Sequence, residues 1–137
     1  MGGYSGTPLP AKLGIKPGHL VALLGAPDGF DATLGELPAS VTVRRDLRGT
    51  RPLDVILLFT VWRAELVRGI ERARPRMAAT AGLWVAWPKR AAKLPTDLTE
   101  DVVREVALPT GLVDNKVCAI DQTWSGLRLV IRRELRR

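Results

Sequence analysis

The pentapeptide Gly25-Ala26-Pro27-Asp28-Gly29 closes the apolar run "HLVALL" and opens onto Phe30. A glycine loop between a buried strand and a helix lets a ligand approach the backbone and use its N–H groups. Arg44-Arg45 end a second short apolar segment, and guanidinium groups there can hold a phosphate. Trp62, Trp87 and Trp124, three of the four tryptophans, fall where apolar runs stop, with Arg63, Lys89 and Arg90 beside them. Aromatic faces flanked by cations suit stacking on a base or ring, although packing is the commoner use of tryptophan. The candidate binding residues are therefore Gly25, Asp28, Gly29, Arg44, Trp62, Arg63, Lys89 and Trp124. This chemistry is binding, and no residue is assigned a catalytic role.

Other chemistries lack their parts. His19 is the single histidine and Cys118 the single cysteine, so neither a zinc site nor a Cys–His pair can be assembled. His19 precedes the first apolar run and reads as a surface residue. Cys118 lies among apolar neighbours and reads as an inert thiol. The net charge is +7 over 137 residues, which favours anionic partners. Nucleic acid is one such partner, through Arg63, Arg68, Arg72, Arg76, Arg90 and the tail 132–137. The longest apolar stretch, "LDVILLFTVW", carries a charge and is too short to span a bilayer. The start of the chain lacks the apolar run of a signal peptide, so a cytoplasmic location without membrane contact is expected.

The elements that must position these groups follow from apolar patterning. Residues 1–18 read as an arm, and 19–137 as one domain. "HLVALLG", "VTVRR" and "LDVILLF" are strands. A short helix capped by Asp28 carries Phe30, Leu34 and Leu37. A helix from about Arg63 to Arg74 turns Leu66, Ile70 and Ala73 inward. "GLWVAW" is a strand, with Trp84 in the core. A helix starts at the capping-box spacing Asp97-x-x-Glu100 and buries Leu98, Val102 and Val106. Strands at 116–121 and 124–133 are joined so briefly that they must be antiparallel. Continuous apolar strands alternating with helices predict a three-layer α/β domain. Its sheet is mainly parallel, has about six strands and ends in an antiparallel hairpin.

In this order the chain resembles a shortened class I S-adenosylmethionine-dependent methyltransferase, a Rossmann-like fold. "LGIKPGHLVALLGAPDGF" is similar to that superfamily's first motif, "AGLWVAWP" to its fifth strand, and the terminal hairpin to its closing hairpin. One edge strand and one helix are missing, because "DLRGTRP" joins 41–45 directly to 53–59. A closer resemblance is to an uncharacterised bacterial family, a domain of unknown function. It is carried by "GYSGTPLPAKLGIKPG", "LLGAPDGF", "LWVAWPKR" and "DLTEDVVREVALPTGLVDNKVCAIDQTWSGLRLV".

The methyltransferase resemblance implies a cofactor at the carboxyl ends of the strands, a glycine-rich loop, and a carboxylate after the second strand for the ribose. It also implies that the arm, with Tyr4 and Lys12, covers the cleft. Here Pro27 removes an N–H from the loop. Arg44-Arg45 stand where the acid belongs, with Asp46 past the usual place, and "FTVWR" replaces the polar catalytic tetrapeptide. The expectation is a non-catalytic binding or regulatory protein for an unknown small molecule or protein partner. The alternatives are an atypical methyltransferase and a nucleic-acid-binding protein. The cofactor is left unknown, and S-adenosylmethionine and a phosphate-bearing nucleotide are weighed without being favoured.

Overall fold

Six strands form one sheet in the order β2-β1-β3-β4-β6-β5. They are β1 (Leu20–Leu24), β2 (Thr42–Arg44), β3 (Leu53–Phe59), β4 (Met77–Pro88), β5 (Leu112–Ala119) and β6 (Trp124–Ile131). The first four run parallel, and β6 lies antiparallel between β4 and β5. The computed structural model describes residues 6–136, so Tyr4 and Arg137 lie outside the described residues. The expected α/β architecture and its antiparallel finish are both present.

Both faces of the sheet are covered. On one face, Leu66, Ile70 and Ala73 of α3 (Arg63–Ala73) and Val103, Val106 and Ala107 of α4 (Glu100–Ala107) pack on Ile56, Leu83, Val85 and Leu129. The other face carries α1 (Leu9–Lys12) and the single turn α2 (Phe30–Leu34), which bury Leu13, Ile15, Phe30 and Leu34 against Leu57, Trp84 and Ala86. β3 is apolar on both sides because both faces are packed, so its sequence does not alternate.

Residues 9–15, read above as part of an arm, are core elements. Leu13 and Ile15 are buried, and the Leu13 carbonyl accepts the indole N–H of the fully buried Trp84 at 3.0 Å. That bond satisfies the one polar atom of the largest core side chain.

Several local expectations differ from the structure for identifiable reasons. Asp28 does not cap α2: Gly29 takes the N-cap position with φ of 81°, and no side chain bonds there. Thr99, rather than Asp97, caps α4, its hydroxyl accepting the Val102 N–H at 3.2 Å. Val103 is buried while Val102 is only half-buried. β4 starts at Met77, five residues before Gly82, because it pairs with Leu53 and then slips register before Val55.

Candidate functional site

Register brings the strand ends to one edge. Leu24 pairs with Leu58, Phe59 with Ala86, and Pro88 with Trp124. The residues that follow β1, β3 and β4, and the first residue of β6, therefore line up along the carboxyl edge. Ligands of open parallel sheets bind there.

At this edge Gly25 has φ of 69°, and a Cβ on it would stand 3.1 Å from the Phe59 carbonyl oxygen. Only glycine lets the first loop pass so close to the end of β3. Asp28 and Gly29 are exposed, and the Asp28 carboxylate engages no backbone N–H. The loop amides are thus not taken up by the Asp28 side chain expected to cap α2.

The two arginines at the end of β2 divide. Arg45 forms a two-pronged pair with Asp31 of α2, both contacts at 2.9 Å. Arg44 is half-buried, and its Nε has no acceptor. Asp46, which follows them, accepts the Arg48 N–H at 3.0 Å. It borders a cavity of about 180 Å3 with Gly25, Arg45, Leu47, Leu58 and Arg72. The acid missing from the end of the second strand is therefore supplied two residues later, facing the same space as the glycine loop.

Thr60, directly after β3, is the one buried polar residue among the described residues, and its hydroxyl has no partner. Its N–H is spent on the Ala86 carbonyl at 2.9 Å. A buried hydroxyl without an acceptor or donor is costly and calls for a reason. Thr60 and Asp46 are the two residues that sequence reasoning left out of the site. The available signal for Thr60 was a polar residue ending a seven-residue buried strand.

Trp124 stands edge-on to Phe59, with ring centroids 5.1 Å apart, and Phe59 stands edge-on to Phe30 at 4.9 Å. Asp121 Oδ1 accepts the N–H groups of Thr123 and Trp124, each at 2.8 Å, which fixes the turn before β6. Trp62 is 44% exposed at the head of α3. Arg63 is held by α4, its guanidinium 3.9 Å from Glu105. Lys89 lines a separate hollow of about 440 Å3 with Arg90, Thr96 and Glu100. Trp87, expected at the cleft, is buried on the α3–α4 face. The edge thus collects Gly25, Asp46, Thr60 and Trp124, while Lys89 belongs to a neighbouring depression.

Several arginines expected to meet nucleic acid have structural duties. Arg76 donates to the carbonyls of Leu47 and Arg51 and so pins the loop after β2. Arg132 donates to the Leu108 carbonyl at 3.5 Å. Lys12, expected over the cleft, borders a cavity that also holds His19 and Asp54, at the amino edge of the sheet. Burial pushes the Cys118 thiol up, against the opposing pull of Lys12 and Lys116. Among the described residues no helix is long and apolar enough to cross a membrane.

No protein-family model matches the sequence, and no curated protein matches it. The expected place in an uncharacterised bacterial family thus has no family model behind it. Solved structures do match. The chain is similar to an S-adenosylmethionine-dependent methyltransferase from Aquifex aeolicus, with TM-score 0.62, 14% identity, and coverage of 88% of this chain and 87% of that one. It is similar to a putative type 11 methyltransferase from Sulfolobus solfataricus, with TM-score 0.63, 13% identity, and coverage of 90% and 89%. It is also similar to Aeropyrum pernix fibrillarin in complex with natively bound S-adenosylmethionine, with TM-score 0.57, 14% identity, and coverage of 93% and 70%. Identities this low establish the fold. They also overturn the expectation of a non-catalytic binding protein, because folds matching this chain over most of its length belong to methyltransferases. The methyltransferase alternative fits them better.

Proposed function

We propose that the protein is an S-adenosylmethionine-dependent methyltransferase whose acidic grip has moved from the end of β2 to Asp46. The observation that carries this reading is the shared cavity: Asp46 and Gly25 border one space at the carboxyl edge. The unpartnered Thr60 hydroxyl is at the same edge and is an orphan that a polar ligand would satisfy, but it is buried and does not border that cavity, so a ligand meets it only by displacing its cover.

In this reading Gly25 and Gly29 keep the loop open for close backbone approach. The Asp46 carboxylate accepts from the ribose hydroxyls, and the Thr60 hydroxyl bonds the polar end of the ligand. Trp124 and Trp62 form aromatic walls. Asp28, Arg44, Arg63 and Lys89 set the charge around the entrance, where Lys89 and Arg63 also draw in an anionic substrate. When bound, the cofactor supplies an electrophilic methyl group on a sulfonium. The protein's own work is to align that methyl with the accepting atom and to exclude water.

Calorimetry with S-adenosylmethionine and with S-adenosylhomocysteine tests the proposal, together with native mass spectrometry of freshly purified protein. Saturable heat, weakened in Asp46→Ala, is the expected result. No heat at millimolar cofactor would remove the reading.

A further inference from the structure

A second cavity, of about 420 Å3, opens at the other end of the sheet. Its position follows from the chain. His19 precedes β1, Asp54 is the second residue of β3, and Thr80 lies in the irregular start of β4. All three are at the amino edge, away from Gly25 and Asp46. Lys12, Lys16, Lys116 and Arg128 also border it. Four cations thus face one acid, and that acid is already engaged: Asp54 Oδ2 accepts the Leu20 N–H at 2.8 Å.

The floor of this cavity is built from the sheet. Trp84, Arg128 and Lys116 stand side by side across β4, β6 and β5, so their side chains share the face covered by α1. Gly82, two residues before Trp84, presents no side chain on that face. A Cβ there would lie 2.6 Å from Arg128 Nε, so the guanidinium occupies the space the glycine leaves. The Arg128 side chain is half-buried, and its contact is a long one, 3.4 Å to Asn115 Oδ1. Burial, and then the charge of Arg136, lower its pKa. A cation held in that position without a carboxylate is electrostatically unfavourable.

The walls are tied together. Lys116 Nζ donates to the Lys12 carbonyl at 3.1 Å, and Lys12 Nζ donates to the Ala119 carbonyl at 3.4 Å. Each ammonium has further N–H groups to offer. His19 Nδ1 accepts the Lys16 N–H at 3.1 Å, so in the neutral ring Nε2 carries the proton and is a donor. Every basic group around the space therefore retains donors, and its one carboxylate spends Oδ2 on backbone, leaving the cations in excess by four to one.

We infer that this amino-edge cavity binds a small, multiply charged oxyanion of the phosphate class, at a site separate from the proposed methyl-transfer cleft. The guanidinium over Gly82 supplies a planar fork for two oxygens, Lys116 supplies a point charge beside it from β5, and Lys12 supplies another from α1.

Inorganic pyrophosphate is the probe, titrated into the full chain by calorimetry at low salt. Saturable binding is expected. Lys116→Gln and Arg128→Gln should each weaken it by about tenfold, the scale of one lost charge-assisted hydrogen bond. Gly82→Ala keeps every charge but evicts the guanidinium, and should weaken binding similarly. Arg68→Gln removes one positive charge from α3, away from the cavity, and should change little. Circular dichroism identifies any variant that fails to fold, and exposed Lys116 provides a substitution with little structural cost. Absence of heat with pyrophosphate, or an equal loss in Arg68→Gln, overturns the inference. Binding of a single-stranded oligonucleotide that depends on Lys116, without pyrophosphate binding, overturns it in favour of a nucleic-acid backbone. S-adenosylmethionine binding should be unchanged in Lys116→Gln, so the two sites can fail separately.

Discussion

Asp97 Oδ1 accepts the backbone N–H of Arg63 at 2.6 Å, so a residue from the loop before α4 caps the start of α3. Glu65 serves the same helix end from within, accepting the N–H groups of Val61 and Trp62 at 3.0 and 3.3 Å. Together they hold the segment Thr60–Arg63 at the carboxyl edge. Asp97→Ala should destabilise the protein by about 1 kcal/mol, the usual cost of a lost cap. Asp97→Asn, which keeps an acceptor, should cost less. Urea denaturation of both variants measures the difference, and equal midpoints would show that the contact carries no energy.

Thr60→Val separates structure from function. Valine has the shape of threonine without the hydroxyl, and in the free protein that hydroxyl has no partner. Removing it should leave stability unchanged or raise it by about 1 kcal/mol. The same change should weaken S-adenosylmethionine binding if the hydroxyl meets the ligand. A less stable Thr60→Val protein would mean that the hydroxyl is satisfied in the free state.

Asp46→Ala and Asp28→Ala should both weaken cofactor binding, and to different degrees. Asp46 borders the cavity with Gly25, so its loss should cost about ten- to a hundredfold, the range for a hydrogen bond to a charged group. Asp28 is exposed on the loop, where it acts through charge alone and should cost severalfold at most. Calorimetric titration of each variant gives the ranking, and an inverted order would take the ribose grip away from Asp46.

Gly25→Ala places a side chain at φ of 69° and 3.1 Å from the Phe59 carbonyl oxygen. Strain in the left-handed region costs about 1–2 kcal/mol, and the carbonyl contact adds to it. The thermal midpoint should fall, with cofactor binding lost beyond what instability explains.

Cys118 should react slowly with a disulfide reagent near neutral pH, because burial holds its thiol above the ordinary range. The thiolate fraction, and with it the rate, should rise only as pH passes the raised folded value. The linkage has a definite sign. Stability from this group is complete below the unfolded pKa and is lost as pH rises through the folded one. A rate at neutral pH equal to that of the denatured chain would contradict this placement.

Most strands were legible because burial on both faces writes itself as unbroken apolar runs, as in Val55–Phe59. The start of β4 was not, since "MAATA" has little pattern and is strand only through its irregular pairing with β3. Asp97 shows a different limit. Its spacing to Glu100 matches a capping box, but the residue it serves lies 34 positions away, across a packing that no local pattern encodes. At the site, Gly25, Asp28, Gly29 and Trp124 could be named from strand ends alone. Asp46 was set aside for lying past β2, and only the cavity it shares with Gly25 restores it. Thr60 falls in the stretch after β3 that chain position puts at the edge, but only its unpartnered hydroxyl singles it out.

β6 occupies an interior place in the sheet although it comes last in chain order of the six described strands. During synthesis β5 emerges with no neighbour to pair with, and the open side of β4 stays exposed until residues 124–131 arrive. The sheet is therefore complete only once β6 has entered between β4 and β5. A ribosome stalled before that step would carry a nascent chain with a sticky, unpaired flank, the kind of surface that chaperones hold and that aggregation exploits.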